Sequence, residues 1–139
     1  MVTFLDAYAL IGFLAGGQAL EPVRQLLRAG GAAVTTANIA ETCDVSARRF
    51  GIPIARVVDL LDPLFGGPLK VVPLDLATAI NAGALRAEHY ARGGRELSIA
   101  DAVLLASARR GDAIATADPL VLELAAQRGI VPMALPSGR

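Results

Sequence analysis

The sequence predicts an α/β fold in three layers, α/β/α, with a central, mainly parallel five-stranded sheet. Two observations predict it. Short runs at residues 2–5, 32–35 and 113–115 are almost wholly apolar and do not alternate, as strands covered on both faces do. Each run is followed by a stretch whose apolar residues recur at three and four, the order that joins parallel strands through helices.

The first strand, residues 2–5, ends in Asp6 and leads into a helix over 7–14, where Ala7, Leu10, Ile11 and Leu14 keep helical spacing before Gly16 and Gly17. A second helix covers 21–29, with Pro22 tolerated in its first turn and Gly30-Gly31 closing it. After the strand at 32–35, Thr36 starts a helix through Phe50. In it Asn38, Glu41 and Asp44 recur every three residues on one face, while Ile39, Cys43 and Ala47 are expected to pack inward. Ile52-Pro53 opens a further helix carrying Ile54, Val57, Val58 and Leu61, then Leu64 or Phe65, and Gly66-Gly67-Pro68 breaks it.

Residues 69–73 read as the third strand. Asp75 caps the next helix, whose expected apolar face is Leu76, Ala79, Ile80, Ala84 and Ala87, with Gly83 on that face leaving room for a neighbour. His89, the one histidine, lies late in this helix and reads as a surface or capping group. Residues 92–97 form a flexible basic loop that delivers the chain to Ser98. Ser98 caps a core helix with Asp101 near its third position, and Gly111 is expected to end that helix in a left-handed conformation. A strand at 113–115 follows. Asp118 caps a helix with Pro119 at its first position, running to Gly129, and residues 130–135 are the last strand. One domain over residues 1–135 with a loose tail at 136–139 is expected.

Composition limits the functional classes. Lys+Arg and Asp+Glu balance at 13 each, so no global basic field argues for nucleic acid, and such a partner would need a local patch. All but one of the cations are arginines, a pattern that base composition explains as well as phosphate recognition does. Cys43 is alone, which excludes a disulfide framework and a cysteine metal site. No run reaches the ~18 apolar residues of a membrane span, and no leader is recognisable, so a soluble cytoplasmic protein is expected, with no membrane partner.

Four acids carry the functional signal. Asp6, Glu41, Asp101 and Asp118 each follow a strand closely or lie in the first turns of a helix, and in an open parallel sheet such positions gather at one crevice. Asp101 and Asp118 also have an ordinary account at helix starts. Several carboxylates within a few ångströms cannot all stay ionised without a cation. Oxygen donors without nearby His or Cys select a hard ion, Mg²⁺ or Mn²⁺, and phosphate chemistry is its natural use.

At these residues the sequence resembles a known family. Phe4-Leu5-Asp6, Thr35-Thr36-Ala37-Asn38-Ile39-Ala40-Glu41, Ser98-Ile99-Ala100-Asp101-Ala102 and Thr116-Ala117-Asp118 look like the four motifs of PIN-domain ribonucleases, in particular VapC toxins of toxin-antitoxin pairs. The resemblance spans almost the whole chain. It implies a PIN-like fold and an endoribonuclease that uses Mg²⁺ or Mn²⁺ to cut an RNA substrate, forms a homodimer and is held inactive by a cognate VapB-like antitoxin. By similarity Asp6, Glu41, Asp101 and Asp118 form the catalytic, metal-binding cluster, and Thr116 keeps the hydroxyl expected near the last acid; Asn38, one turn before Glu41, is placed either to support it or to cap its helix. Where the family often has a small hydroxyl residue just after the first aspartate, this chain has Ala7 and Tyr8.

Asp44 is a reserve acid on the Glu41 face. Arg86, Arg92 and Arg95 are the candidates for substrate phosphate contacts, with Arg48-Arg49 and Arg109-Arg110 read as surface. A receiver-type phosphoacceptor would need a late lysine, and the one lysine is Lys70 in the third strand. A haloacid-dehalogenase-like hydrolase would need an aspartate where Tyr8 stands. A non-catalytic binding protein on the same scaffold and a housekeeping RNA-processing nuclease remain as alternatives.

Overall fold

The structure, a computed structural model, describes residues 1–91 and 95–137. Strands β1 (Thr3–Leu5), β2 (Ala32–Thr35), β3 (Leu69–Val72), β4 (Ala113–Thr116) and β5 (Val131–Ala134) form one sheet in the order β3-β2-β1-β4-β5. Every pairing is parallel, as expected. The connections among the described residues are α1 (Ala7–Ala15), α2 (Leu20–Ala29), α3 (Thr36–Phe50), α4 (Ile54–Leu61), α5 (Leu76–Ala91), α6 (Ile99–Ser107) and α7 (Pro119–Gln127).

Successive strand residues point to opposite faces, so each strand supplies two cores. Phe4, Ala33 and Ile114 enter a cluster with Ala82 of α5, Leu104 of α6 and Val121 of α7. Their neighbours Leu5, Val34 and Ala115 enter a second cluster with Leu10 of α1, Val23 of α2 and Leu61 of α4. That is why the strands show no alternation. The edge strand β5 is the exception: most of it is exposed, and Pro132 is tolerated there because an edge residue can lack an outward N–H.

The winding positions the site. From β1 the chain steps outward through β2 to β3, then α5 and α6 carry it back across to β4 on the other side of β1. Strand order therefore reverses between β1 and β4, and a crevice opens at their carboxyl ends. Asp6 follows β1 and Thr116 ends β4. Helix α3 packs on both α1 and α6, with Ala37 against the first cluster and Ile39 and Cys43 against the second. It thus stands over the reversal.

Four details differ from expectation. Helix α6 stops at Ser107, because the Asp112 carboxylate accepts from Arg109 N at 2.9 Å and from Val2 N at 3.1 Å, pulling the chain into a turn. Gly111 then takes φ +92° inside that turn instead of capping the helix. On α3 the fully buried stripe is Asn38, Thr42 and Ser46, while Ile39, Cys43 and Ala47 are half-buried. Thr42 is satisfied by donating to the Asn38 carbonyl at 2.7 Å.

The helix predicted through Phe65 ends at Leu61, and a single 3-10 turn containing Pro63 follows. On α5 the face turned inward carries Ala82 and half-buried Leu85. The predicted apolar stripe is turned out, with Leu76 78% and Ile80 62% exposed and nothing within 4 Å of the side-chain position at Gly83.

Leu104 and Leu76 should therefore respond oppositely to truncation. Leu104→Ala is expected to lower unfolding free energy by about 2–5 kcal/mol in urea melts, whereas Leu76→Ala should stay within about 0.5 kcal/mol.

Candidate active site

The site is assembled from helix starts. Asp6 is the N-cap of α1: one carboxylate oxygen accepts from Ala9 N at 2.9 Å, and the other accepts from the Thr116 hydroxyl. Thr116 Oγ1 also accepts from Asp118 N at 3.1 Å, and Asp118 caps α7 by accepting from Leu120 N at 2.9 Å. One hydroxyl at the end of β4 thus ties the acid of β1 to the acid of α7. Ser98 caps α6 by accepting from Asp101 N at 3.0 Å, which sets the Asp101 carboxylate in the first turn.

Glu41 is braced from its own helix. Thr35 caps α3 by accepting from Asn38 N at 3.0 Å, and its hydroxyl donates to Asn38 Oδ1 at 3.1 Å. Asn38, fully buried, turns its Nδ2 toward Glu41 Oε1 at 3.5 Å, a long contact. Capping is therefore done by Thr35, which frees the Asn38 amide to orient Glu41.

Asp6, Glu41, Asp101 and Asp118 all line one open cleft of about 1000 Å³. Asp6 is 5% exposed, and burial pushes its carboxyl up to about 6, helped by the charges of Glu41 and Asp118 and opposed by the bonds from Thr116 and Ala9. Burial likewise pushes Asp101 up to about 7, with Glu41, Asp6 and Asp118 adding repulsion. Glu41 is raised as well, chiefly by burial. Among the described residues no cation offsets the mutual repulsion of these acids.

Such a donor set suits a hard divalent cation in both atom type and charge, since neither His nor Cys lines the cleft. Convergence is incomplete: among the described residues no group of three His, Cys, Asp or Glu side chains is placed to hold one ion together. Asp6 and Asp101 nevertheless share the cleft and each other's field.

Other expected residues lie elsewhere. Asp44 is exposed and paired with Arg48 at 3.0 Å. Arg86 Nε donates to the Leu97 carbonyl at 2.8 Å, and its guanidinium lies 4.8 Å from the Tyr90 ring centre. Arg95 pairs with Glu123 at 3.0 Å, and neither it nor Arg86 lines the cleft. Arg92 and the glycines after it fall outside the described residues.

Some contributors to the cleft escaped sequence reasoning. Arg49 and Phe50 line it from the end of α3, and the signal for Arg49 was its place after Glu41 and Val45 at steps of four. Ser137, expected in a loose tail, also lines it, and that tail is tied down next door: Tyr8, itself in the lining, donates its hydroxyl to the Pro136 carbonyl at 2.6 Å.

The raised acids give stability a pH dependence of definite sign. In the unfolded chain both carboxyls titrate near ~3.9, so from there up to about 6 and 7 the folded state holds more protons. Stability must then fall as pH rises through that window. Metal-free protein is expected to show a urea midpoint that drops from about pH 5 to about pH 8, and Asp101→Asn, neutral throughout, should flatten much of the drop.

The sequence profile of the PIN domain matches residues 3–127. No curated protein matches the chain. Among solved structures, the DNA-bound VapBC of Salmonella typhimurium superposes with a TM-score of 0.68 at 17% identity, covering 96% of this chain and 98% of that one. A toxin-antitoxin complex from Klebsiella pneumoniae gives 0.63 at 21% identity, covering 93% and 95%. VapC20 of Mycobacterium tuberculosis, a sarcin-ricin loop cleaving toxin, gives 0.59 at 18% identity, covering 75% and 78%. These structures share the fold, and with the profile spanning nine-tenths of its length the chain belongs to the PIN domain family.

Proposed function

We propose that this PIN domain is a divalent-metal-dependent endoribonuclease, the toxin of a toxin-antitoxin pair, with Asp6, Glu41, Asp101 and Asp118 as its acidic site. The observation that carries the reading is that four carboxylates, three at helix starts and Glu41 in the second turn of α3, line one cleft at the β1–β4 reversal. Their uncompensated charge, which lifts Asp101 to about 7, supports Mg²⁺ or Mn²⁺ as the cofactor. When bound, the ion supplies a water of lowered pKa for in-line attack on phosphorus and neutralises charge on the leaving oxygen.

The chain's own residues set the stage for that step. Thr116 holds Asp6 in one rotamer by donating to it, and holds the start of α7 by accepting from Asp118 N. Asn38 orients Glu41. Asp6 and Asp101 are the firmest ligands because burial keeps bulk water from competing for them. No side-chain nucleophile is required.

A cytoplasmic setting agrees with the absence, among the described residues, of any helix long and apolar enough to cross a membrane. The solved toxin-antitoxin complexes of similar fold support a VapB-like antitoxin as partner. A homodimer is supported by the outward apolar stripe of α5, where Leu76 and Ile80 are exposed and Gly83 and Ala84 would let another helix approach closely. The competing reading, a binding protein without a working metal site, draws on the incomplete convergence of the carboxylates.

Two measurements decide between them, and a third tests the dimer. Mn²⁺ should raise the melting temperature of the wild type and leave Asp101→Asn unmoved. Asp6→Asn and Asp101→Asn should each cut RNA about a thousandfold more slowly while circular dichroism stays normal; folded wild type that leaves a panel of structured and unpaired RNAs intact in Mn²⁺ would refute the nuclease. Sedimentation should give a dimer for the wild type and a monomer for Ile80→Glu.

A further inference from the structure

Of the chain's 13 Lys and Arg residues, Arg49 is the one among the described residues that lines the acidic cleft. Four other arginines are committed elsewhere: Arg48 to Asp44, Arg24 to Glu21, Arg95 to Glu123 and Arg86 to the Leu97 carbonyl. Arg49 is exposed and has no ion-pair or hydrogen-bond partner among the described residues.

Its position relative to the acids is set by the helix. Glu41, Val45 and Arg49 follow one another at steps of four along α3, and all three line the cleft. Eight residues at 1.5 Å each place the guanidinium's root about 12 Å from that of Glu41 along the helix axis. One wall therefore runs from acid through an apolar step to a base. Phe50, the next residue, is 54% exposed and lines the same end, so its ring is open to a partner in the cleft.

A free guanidinium beside an uncovered aromatic ring is the pair of groups that grips an unpaired nucleotide, the cation taking a phosphate oxygen and the ring stacking on a base. We infer that Arg49 and Phe50 form the substrate-gripping end of the cleft, holding an unpaired nucleotide of a strand laid along α3 that lies beyond the nucleotide adjoining the scissile bond. The inference rests on the nuclease reading of the same cleft and adds to it which residues hold the strand and in what state. A paired duplex is disfavoured because its bases present no free face to Phe50. A docked protein segment is the rival occupant of this end.

The test uses full-length protein in Mn²⁺ with a short fluorescein-labelled RNA of randomised sequence, offered unpaired or annealed to its complement. Arg49→Ala should lower kcat/KM about tenfold, mostly through KM, and reduce the salt dependence of log(kcat/KM) by ~0.7. Phe50→Ala should lower it about tenfold without changing the salt slope. Phe50→Trp should restore it, and Arg128→Ala on an exposed turn serves as control. The unpaired RNA should be the better substrate.

Wild type that cuts RNA while Arg49→Ala and Phe50→Ala match it in KM and salt slope would overturn this inference and leave the nuclease standing. A preference for the annealed strand would do the same. So would loss of binding by both variants to a co-purified protein partner with RNA cleavage intact, which would make this end a protein-docking surface. Wild type that cuts neither form would overturn both readings together.

Discussion

A carboxylate buried at the end of a central strand is the constraint on which the rest of this structure turns. Asp6 is 5% exposed, and an ionised group so placed is destabilising unless donors or a cation meet it. The fold supplies two donors, the free amide of Ala9 at the start of α1 and the hydroxyl of Thr116 at the end of β4. The first is local to the helix start; the second exists because β1 and β4 are parallel neighbours, so that the end of one strand lies beside the end of the other. The pairing that closes the sheet is also the pairing that builds the site. What remains unbalanced is charge, since Glu41 and Asp118 add repulsion at Asp6, and among the described residues the one cation lining the cleft is Arg49, about 12 Å from Glu41 along α3.

That imbalance separates two roles that caps can play. Asp75 caps α5 by accepting from Thr78 N at 2.8 Å, is exposed, and has its carboxyl held below the usual range by that bond. Asp6 does the same work for α1 yet is shifted the other way, because burial outweighs the bonds it accepts. Identical local signatures thus lead to opposite electrostatics. The difference lies in what the rest of the chain packs around each group, and it marks Asp6 as a place where stability is sacrificed to the site.

The strands and the caps Asp75, Ser98 and Asp118 were legible in the sequence because each depends on a few neighbouring residues, whereas the capping by Asp6 and Thr35 was not read. Apolar runs such as Ala113, Ile114 and Ala115 name a strand covered on both faces, and Ser98 followed by Asp101 names a helix start whatever the distant chain does. Burial on helices was not legible in the same way. On α5 the pattern of Leu76, Ile80 and Ala84 is as good an apolar stripe as the one that faces inward, and periodicity says only that a stripe exists, not what covers it. On α3 the reverse happened: Asn38, Thr42 and Ser46 look solvent-facing by type, but the helix is wedged between α1 and α6, and Thr42 and Asn38 find partners inside α3 and its cap. The gripping arginine was missed for a related reason. Sequence proximity to Asp101 favoured Arg86 and Arg95, whereas nearness in space to the acids follows the axis of α3.

Electrostatic range explains why acid and base can serve one anionic strand from the same wall. At physiological ionic strength, charges in contact with solvent are screened over about 8 Å. Glu41 and Arg49 are about 12 Å apart along their helix, so in an open cleft neither cancels the other. A strand of phosphates would then meet attraction at the Arg49 end, without needing a net positive protein, while the buried acids at the far end stay repulsive until a divalent ion reverses the local sign. With Lys+Arg equal to Asp+Glu over the whole chain, approach is not steered by a global field. Discrimination falls instead to the order of charges along one helix, which favours a flexible strand able to follow that wall over a stiff duplex that cannot bend into it.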